Sequence, residues 1–356
     1  MKILILGTSN SILRTGYPKT LATHPAVTSI VNRSLGASAS IRLGYDRDVA
    51  PFAGSDIVLV DFCPNDEQHN INLPYLNNID VAFHEMLANI VANPGCIPVV
   101  LALPKRSAFL GSGPAYDRWL ALCRAFRVPF FDARVFLCRL QAKMSLSVEA
   151  LFWDEMHFSP SLAPAMAMAL GDQLAMLEPA PPIVSLRVRQ RCFRFSGLDD
   201  WDLADVPTYL GKTSQGSMKL APIAHPGGVT ATLPAEAAQV AGIAANARKT
   251  DAPIIVRSGS GERIIDVGPS MFNPSSPPAF IFPPCLPLPI VDQQVWIGAG
   301  PRPGKADPVV ELAGLIYVTT HSGVTTPLFG RDNIDLVANI SDEAIEAYGG
   351  LILKPE

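Results

Sequence analysis

The chain opens with an apolar run that breaks at once into a turn of small polar residues. Ile3-Leu4-Ile5-Leu6 is followed directly by Gly7-Thr8-Ser9-Asn10-Ser11. A buried strand that ends in such a turn is where an open α/β sheet places its functional groups, outside the carboxyl ends of its strands. A serine here can act as a nucleophile or can cap the helix that follows, since Ser and Asn are leading cap residues. Ser9 is the preferred candidate nucleophile, and Ser11 is the alternative if the turn is two residues longer.

A nucleophilic serine requires a base, and the base requires a group that orients it. Of the six histidines, His157 lies in the segment Phe152-Trp153-Asp154-Glu155-Met156-His157-Phe158, just before a helix-like stretch. Asp154 stands three residues before His157. In a turn, this spacing lets the carboxylate reach Nδ1–H of the imidazole while Nε2 points into a cleft. A lone Asp-x-x-His is also compatible with an ordinary surface turn.

Acyl transfer also requires hydrogen-bond donors aimed at the negative charge that develops on the carbonyl oxygen. Gly36 follows the second predicted strand, and Gly36-Ala37-Ser38 is predicted to open a helix, which leaves the Gly36 N–H unpaired. Asn65 follows the third predicted strand and offers a side-chain amide at the same edge of the sheet. Each residue alone is a weak signal, because Gly and Asn are common in turns.

These residues require a sheet that brings several strand ends together, and the first half of the chain predicts one. Strands are predicted over Lys2–Leu6, Val27–Val31, Asp56–Phe62, Pro98–Leu103 and Val128–Phe131, and helices over Ile79–Val91, Ala115–Phe126 and Ser161–Leu177. This alternation favours a parallel sheet covered by helices on both faces. The carboxyl ends of parallel strands share one edge, so the turns after the first three strands would meet there.

The composition changes after the proline-rich segment Glu178-Pro179-Ala180-Pro181-Pro182, which is a linker signal. Short apolar runs broken by Pro and Gly follow, and they predict an antiparallel sandwich or barrel. The runs include 184–188, Pro253–Val256, Arg263–Val267, Ala279–Phe282, Gln294–Gly298 and Gly314–Thr319. Ala235–Ala247 is predicted as a short helix within this region. Ser341 is predicted to cap a last helix that Gly349 ends.

Composition and charge exclude several function classes. The 356 residues carry a net charge of −4 with no basic stripe, so a nucleic acid partner is not expected. The six cysteines show no metal-like spacing, which favours a reducing compartment without disulfides. No secretory signal and no run long enough to span a membrane is visible, so a cytoplasmic location is the expectation. The oligomeric state stays open.

The order of the candidate groups resembles that of the SGNH hydrolases, also called the GDSL family, over residues 1–178. The resemblance implies a flavodoxin-like three-layer α/β/α domain with a parallel sheet, followed here by a β-rich, sandwich-like domain over 183–356. It implies action on esters and thioesters, often acyl groups of carbohydrates, without a metal or organic cofactor.

Carried over residue by residue, the resemblance makes Ser9 the nucleophile, His157 the base and Asp154 its partner. The backbone N–H groups of Ser9 and Gly36 and the side-chain amide of Asn65 would form the oxyanion hole. Two departures stand out. Thr8 occupies the position where the family usually carries Asp, and Cys63-Pro64 replaces the usual Gly-x before Asn-Asp.

Three functional hypotheses follow, all with a small-molecule or glycan acyl ester as partner. The leading one is a serine esterase that cleaves short acyl esters, such as O-acetyl groups on carbohydrates. A second is an O-acyltransferase that passes the acyl group to a glycan hydroxyl. A third is a glycan- or partner-binding protein on a non-catalytic scaffold, which the departures motivate.

Other residues have both a structural and a functional interpretation. Lys105-Arg106 follows the fourth strand and could contact an acidic substrate or form a solvated pair. Trp153 could stack on a sugar or pack in the core. Trp201 and Trp296 could form a carbohydrate platform, with structural roles preferred. The arginines of the first β-like run are expected on its exposed face: Arg187, Arg189, Arg191 and Arg194.

Overall fold

The computed structural model describes residues 1–49, 52–69, 73–91, 93, 95–111, 113–178, 182–203, 206–213, 216–267, 277–329 and 334–352. Among these residues, the first half forms five strands, β1 (Lys2–Gly7), β2 (Ser29–Asn32), β3 (Ile57–Asp61), β4 (Ile97–Ala102) and β5 (Phe130–Asp132). They form one parallel sheet in the order β2-β1-β3-β4-β5. The predicted parallel α/β domain is confirmed.

Both faces of this sheet are covered, which explains its continuous apolar strands. In β1, Ile3 and Ile5 point into one hydrophobic cluster, and Leu4 and Leu6 point into the other. Successive side chains of a strand alternate between faces, so a strand buried on both sides must be apolar at every position. The result is a three-layer α/β/α sandwich.

Ten α-helices accompany the sheet in the described part of this half. They are α1 (Ser9–Ile12), α2 (Tyr17–Leu21), α3 (Leu43–Val49), α4 (Cys63–His69), α5 (Leu73–Val91), α6 (Arg106–Leu110), α7 (Pro114–Phe126), α8 (Ala133–Met144), α9 (Val148–Leu151) and α10 (Ala163–Ala175). Helices α5 and α7 pack on one face of the sheet, and α2, α8 and α10 pack on the other. Within the described ranges, no helix combines the length and apolarity needed to cross a bilayer.

In the described part of the second half, most residues belong to β-strands, which form two sheets. The strands are β6 (Pro182–Gly197), β7 (Tyr209–Thr213), β8 (Gly216–Ala224), β9 (Gly228–Thr232), β10 (Ala237–Asn246), β11 (Ile254–Ser258), β12 (Gly261–Ile265), β13 (Phe280–Ile281), β14 (Pro284–Pro289), β15 (Gln294–Ala299) and β16 (Val309–Phe329). The larger sheet has the order β13-β10-β16-β8-β7, with β14 paired to β10 and β6 paired along β16; the smaller is β12-β11-β15-β9. A hydrophobic cluster lies between the sheets, so the predicted sandwich-like domain is confirmed.

The predicted helix over Ala235–Ala247 is wrong, because this segment forms strand β10. Its alanines favour a helix in isolation. Here β10 lies between β14 and β16 and pairs antiparallel with both. Val240 and Ile243 are buried in the sandwich core, while Ala241 and Ala244 are buried against the first domain. Burial on both faces therefore outweighs the local propensity of the segment.

The outer face of the larger sheet packs against the α/β domain. Phe193 of β6 and Ile316 of β16 share a hydrophobic cluster with Phe83 of α5. Arg194, expected on an exposed face, is half-buried in this interface, with Nη1 3.7 Å from Oε1 of the buried Glu85. The two domains therefore share apolar core. The side chains of Arg187 and Arg189 lie outside the described residues.

The last described segment, residues 334–352, returns to the α/β domain. The backbone N–H of Phe130 donates to the carbonyl of Ile334, and the N–H of Leu336 donates to Phe130. Helix α11 (Asp342–Gly349) follows and packs on α8 and α10. The Ser341 side chain caps α11 by accepting from the N–H of Ala344, as predicted. The predicted boundary between 178 and 183 stays a prediction, since residues 179–181 lie outside the described residues.

Candidate active site

The candidate nucleophile lies at the carboxyl end of β1, at the first residue of α1. Thr8 precedes it with an extended backbone, and Ser9 begins the helix. The Oγ atom of Ser9 lies 2.7 Å from Nε2 of His157, which is within hydrogen-bond reach for proton transfer. The structure thus brings together two residues that are 148 positions apart.

The imidazole of His157 is held on its other side by Asp154. Nδ1 of His157 lies 2.8 Å from Oδ2 and 2.9 Å from Oδ1 of Asp154. Partial burial acts to raise the pKa of the Asp154 carboxyl. Hydrogen bonds from the His157 side chain and from the backbone N–H groups of Met156 and His157 outweigh burial and hold this pKa below its usual value. Asp154 is therefore a carboxylate that fixes Nδ1 as a donor and leaves Nε2 free to accept a proton.

The loop that carries Asp154 and His157 is fixed to the start of α6. The backbone N–H of Arg106 donates to the carbonyl of Glu155, and the N–H of Ser107 donates to Oε1 of the same residue. Nζ of Lys105 lies 3.8 Å from that oxygen, and the Arg106 guanidinium pairs with Glu149 at 2.8 Å. Lys105 and Arg106 therefore hold in place the loop of residues 152–158, here called the base loop. The sequence suggests contact with an acidic substrate or a solvated pair, and neither interpretation includes this role.

The glycine predicted for the oxyanion hole lies beside the candidate nucleophile. A Cβ built on Gly36 would lie 3.7 Å from Cβ of Ser9, so the two backbones are close. The predicted helix does not begin at Gly36, and a 3₁₀ helix starts at Ser40 instead. The reason is a turn in which Ala37 has a φ of 53°, in the left-handed region that interrupts a right-handed helix.

Asn65 approaches the same turn from β3. It lies in the first turn of α4, is 3 % exposed, and donates from Nδ2 to the carbonyl of Ser38 at 3.0 Å. A side-chain amide carries two N–H groups, so this bond leaves one donor. The next residue, Asp66, accepts from the N–H of Ser40 at 2.8 Å and from Nε1 of Trp119 at 2.8 Å. Burial raises the pKa of Asp66 to about 6.

Ser11, the alternative nucleophile, belongs to a buried polar network. Its Oγ donates to Oδ2 of Asp61 at 2.8 Å and lies 2.8 Å from the Tyr17 hydroxyl. The Thr8 hydroxyl donates to the same carboxylate oxygen at 3.3 Å. Burial raises the pKa of Asp61 to about 7, against the effect of these hydrogen bonds. Ser11 is 1 % exposed, and its hydroxyl is engaged by Asp61 and Tyr17.

The sequence interpretation did not single out Asp61 or Asn10. Asp61 is an acidic residue at the end of the otherwise apolar strand β3. Its position in the sequence could therefore have predicted a buried polar network. Asn10 hydrogen-bonds the backbone of the base loop on both sides of His157. This contact joins residues 148 positions apart and has no local signal.

The three tryptophans singled out from the sequence differ in exposure. Trp153 is 65 % exposed, and its ring centroid lies 6.5 Å from that of His157, so it does not pack in the core. Trp201 is buried and donates to Oγ of Ser196. The Arg257 guanidinium lies over the Trp296 ring, with its carbon Cζ 4.7 Å from the ring centroid. The same ring packs against the backbone of Gly228. Only Trp153 of these three presents an indole at the candidate site.

Comparison with solved structures finds the same two-domain architecture. A two-domain esterase (CEX) active on acetylated mannans matches at a TM-score of 0.61 and 10% identity, over 90% of this chain and 92% of that chain. The same esterase co-crystallised with mannopentaose matches at a TM-score of 0.64 and 10% identity, over 91% and 92% of the two chains. Axe2, an acetylxylan esterase from Geobacillus stearothermophilus, matches 49% of this chain and 93% of its own at 16% identity and a TM-score of 0.39. No family model and no curated protein matches the sequence.

Proposed function

We propose that this chain, which has an SGNH-type α/β domain joined to a β-sandwich domain, is a serine esterase that removes acyl groups from carbohydrates. The observation that carries the proposal is the continuous arrangement of Ser9, His157 and Asp154. Ser9 Oγ and His157 Nε2 are 2.7 Å apart, and His157 Nδ1 is 2.8 Å from Asp154. A nucleophile, a base and an orienting carboxylate within hydrogen-bond reach are the requirements of acyl transfer.

The reaction begins when Nε2 of His157 takes the hydroxyl proton of Ser9. Oγ of Ser9 attacks the acyl carbonyl carbon, and the carbonyl oxygen becomes an oxyanion. The backbone N–H groups of Ser9 and Gly36 and the remaining amide N–H of Asn65 stabilise this charge. His157 then returns its proton to the leaving alcohol, which leaves the acyl group on Ser9. Attack by water, again with His157 as base, releases the carboxylic acid and restores the free serine.

A carbohydrate O-acetyl ester is the proposed substrate class. Two observations support it. The two-domain esterase whose fold this chain shares acts on acetylated mannans. The exposed indole of Trp153 stands directly beside the imidazole of His157, where an acyl ester would have to bind. The flat apolar face of a sugar ring suits such a side chain, because an indole offers a broad apolar surface.

Hydrolysis of p-nitrophenyl acetate and release of acetate from acetylated mannan and xylan test the proposal. Ser9→Ala and His157→Ala should each lower kcat/KM by at least about 10³-fold, because each removes a member of the proton-transfer chain. Ser217→Ala, at an exposed position of β8, is the matched control and should retain activity. Equal activity of wild type and Ser9→Ala would overturn the proposal. Product analysis with a glycan acceptor present separates hydrolysis from acyl transfer.

A further inference from the structure

We infer that Asn10 is a positioning residue that holds His157 against Ser9; this rests on the proposed esterase function. Asn10 directly follows the candidate nucleophile and is 5 % exposed. Its Nδ2 donates to the carbonyl oxygen of Met156 at 2.9 Å, and its Oδ1 accepts from the backbone N–H of Phe158 at 3.2 Å. These two backbone groups flank His157, so the Asn10 side chain binds the base loop on both sides of His157.

The loop has other anchors, but they do not connect it to the nucleophile. Phe152 pairs with Phe158, and the N–H of Trp153 donates to the carbonyl of His157, which fixes the internal shape of the loop. Glu155 ties the loop to α6. Among the described residues, the hydrogen bonds between α1 and this loop come from Ser9 and Asn10.

The chemistry of the Asn side chain suits this role. It offers one acceptor and an N–H donor on a short, rigid stem, and the loop presents one carbonyl and one N–H at matching positions. Asn10 contacts no reacting atom, so it acts only through the placement of His157. Proton transfer depends steeply on this placement, because a displacement of about 1 Å can cost about 10²-fold in rate.

Reaction of Ser9 with a fluorophosphonate probe measures this effect without a natural substrate. Asn10→Ala should slow labelling and lower kcat for p-nitrophenyl acetate by about 10- to 100-fold, with KM nearly unchanged. Asn10→Asp gives a second readout. When the introduced carboxyl is ionised, it has no proton to donate to the Met156 carbonyl; when it is protonated, it can donate to that carbonyl. The ratio of Asn10→Asp activity to wild-type activity should therefore rise as the pH falls.

Asn246→Ala is the matched control. Asn246 is fully buried in the β domain, where Nδ2 donates to Glu311 and Oδ1 accepts from the N–H of Ala279. Its loss should lower the unfolding temperature without slowing the labelling of Ser9. Wild-type labelling rates in Asn10→Ala, or a pH-independent activity ratio for Asn10→Asp, would overturn the inference. Absence of labelling in the wild type would instead overturn the proposed function, so the two failures are distinguishable.

Discussion

Asp61 accepts a hydrogen bond from Ser11 at 2.8 Å, directly beneath the turn that carries the candidate nucleophile. The same carboxylate oxygen accepts from Thr8, the residue just before Ser9. In the SGNH family that this chain resembles, an acid usually occupies the position of Thr8. Here the carboxyl group comes from the neighbouring strand β3, and the threonine binds it. A buried acid thus holds the turn that carries the candidate nucleophile.

This buried acid should make stability depend on pH. Burial raises the pKa of Asp61 from 3.8 to about 7, so the folded state keeps a proton that the unfolded state releases. Below about pH 4 both states are protonated and Asp61 imposes no penalty. As the pH rises from about 4 to about 7, the folded state should lose up to about 4 kcal/mol of stability, since each pKa unit corresponds to about 1.4 kcal/mol.

Urea unfolding across this pH range checks the expectation. Asp61→Asn removes the titrating group and keeps an acceptor for Ser11 and Thr8. As the pH rises from about 4 to about 7, the unfolding free energy of the wild type should fall by more than that of Asp61→Asn. Burial raises the pKa of Asp66 to about 6, so the unfolding free energy of both proteins should still fall somewhat as the pH rises. A difference that is constant with pH would contradict the assignment of the raised pKa to Asp61.

Gly7→Ala should disturb the same network by crowding. A Cβ at Gly7 would lie 2.7 Å from Oγ of Ser11 and 3.1 Å from Cβ of Asp61. We expect a loss of about 1–3 kcal/mol of unfolding free energy, typical of an overpacked core, together with lower esterase activity. Gly111→Ala is the control, because its Cβ would meet nothing closer than 3.7 Å. Equal unfolding free energies for the two variants would show that the turn has room to relax.

The sequence predicted the parts of the site that depend on strand order. A serine after β1, a glycine after β2, an asparagine after β3 and Asp-x-x-His before α10 share one sheet edge. Local pattern could not predict the role of Asn10, because its partners lie 146 and 148 positions away. For Asp61, the acidic residue that ends the apolar strand β3 was a local signal, but its partners Thr8 and Ser11 lie on another segment. Local pattern also failed at β10, where pairing with β14 and β16 overrides an alanine-rich sequence.

Trp153 should affect carbohydrate substrates more than small esters. Its indole is 65 % exposed beside His157. A sugar–indole contact as strong as an aromatic pair, roughly 0.5–1.5 kcal/mol, corresponds to a rise of about 2- to 12-fold in KM when it is lost. Trp153→Ala should show this rise with acetylated mannan oligosaccharides, and Trp153→Phe should recover part of it. Activity on p-nitrophenyl acetate should change little, and an equal loss on both substrates would rule out a role specific to the sugar.

The shared core of the two domains should make them unfold together. Phe193 lies on β6 of the β domain, is fully buried, and belongs to the same cluster as Phe83 and Met86 of α5. A Cβ at Gly44 of α3 would lie 2.8 Å from Cβ of Phe193, so helix and strand are in close contact. Removal of this ring leaves a cavity between the domains rather than within one of them.

Phe193→Ala should therefore lower the unfolding free energy by about 3–5 kcal/mol, the usual cost of truncating a buried aromatic residue. In a background with the other three tryptophans replaced by Phe, the fluorescence of Trp119 in the α/β domain should report the same shifted urea midpoint as the loss of β-sheet circular dichroism. Val295→Ala, whose cavity lies within the sandwich core, is the matched comparison: if the two domains unfold together, it should also move the single midpoint that both signals report. A cavity at a true interface must destabilise both domains. Two separate unfolding steps in the wild type, of which Phe193→Ala moves only the β-domain step, would therefore contradict a shared core.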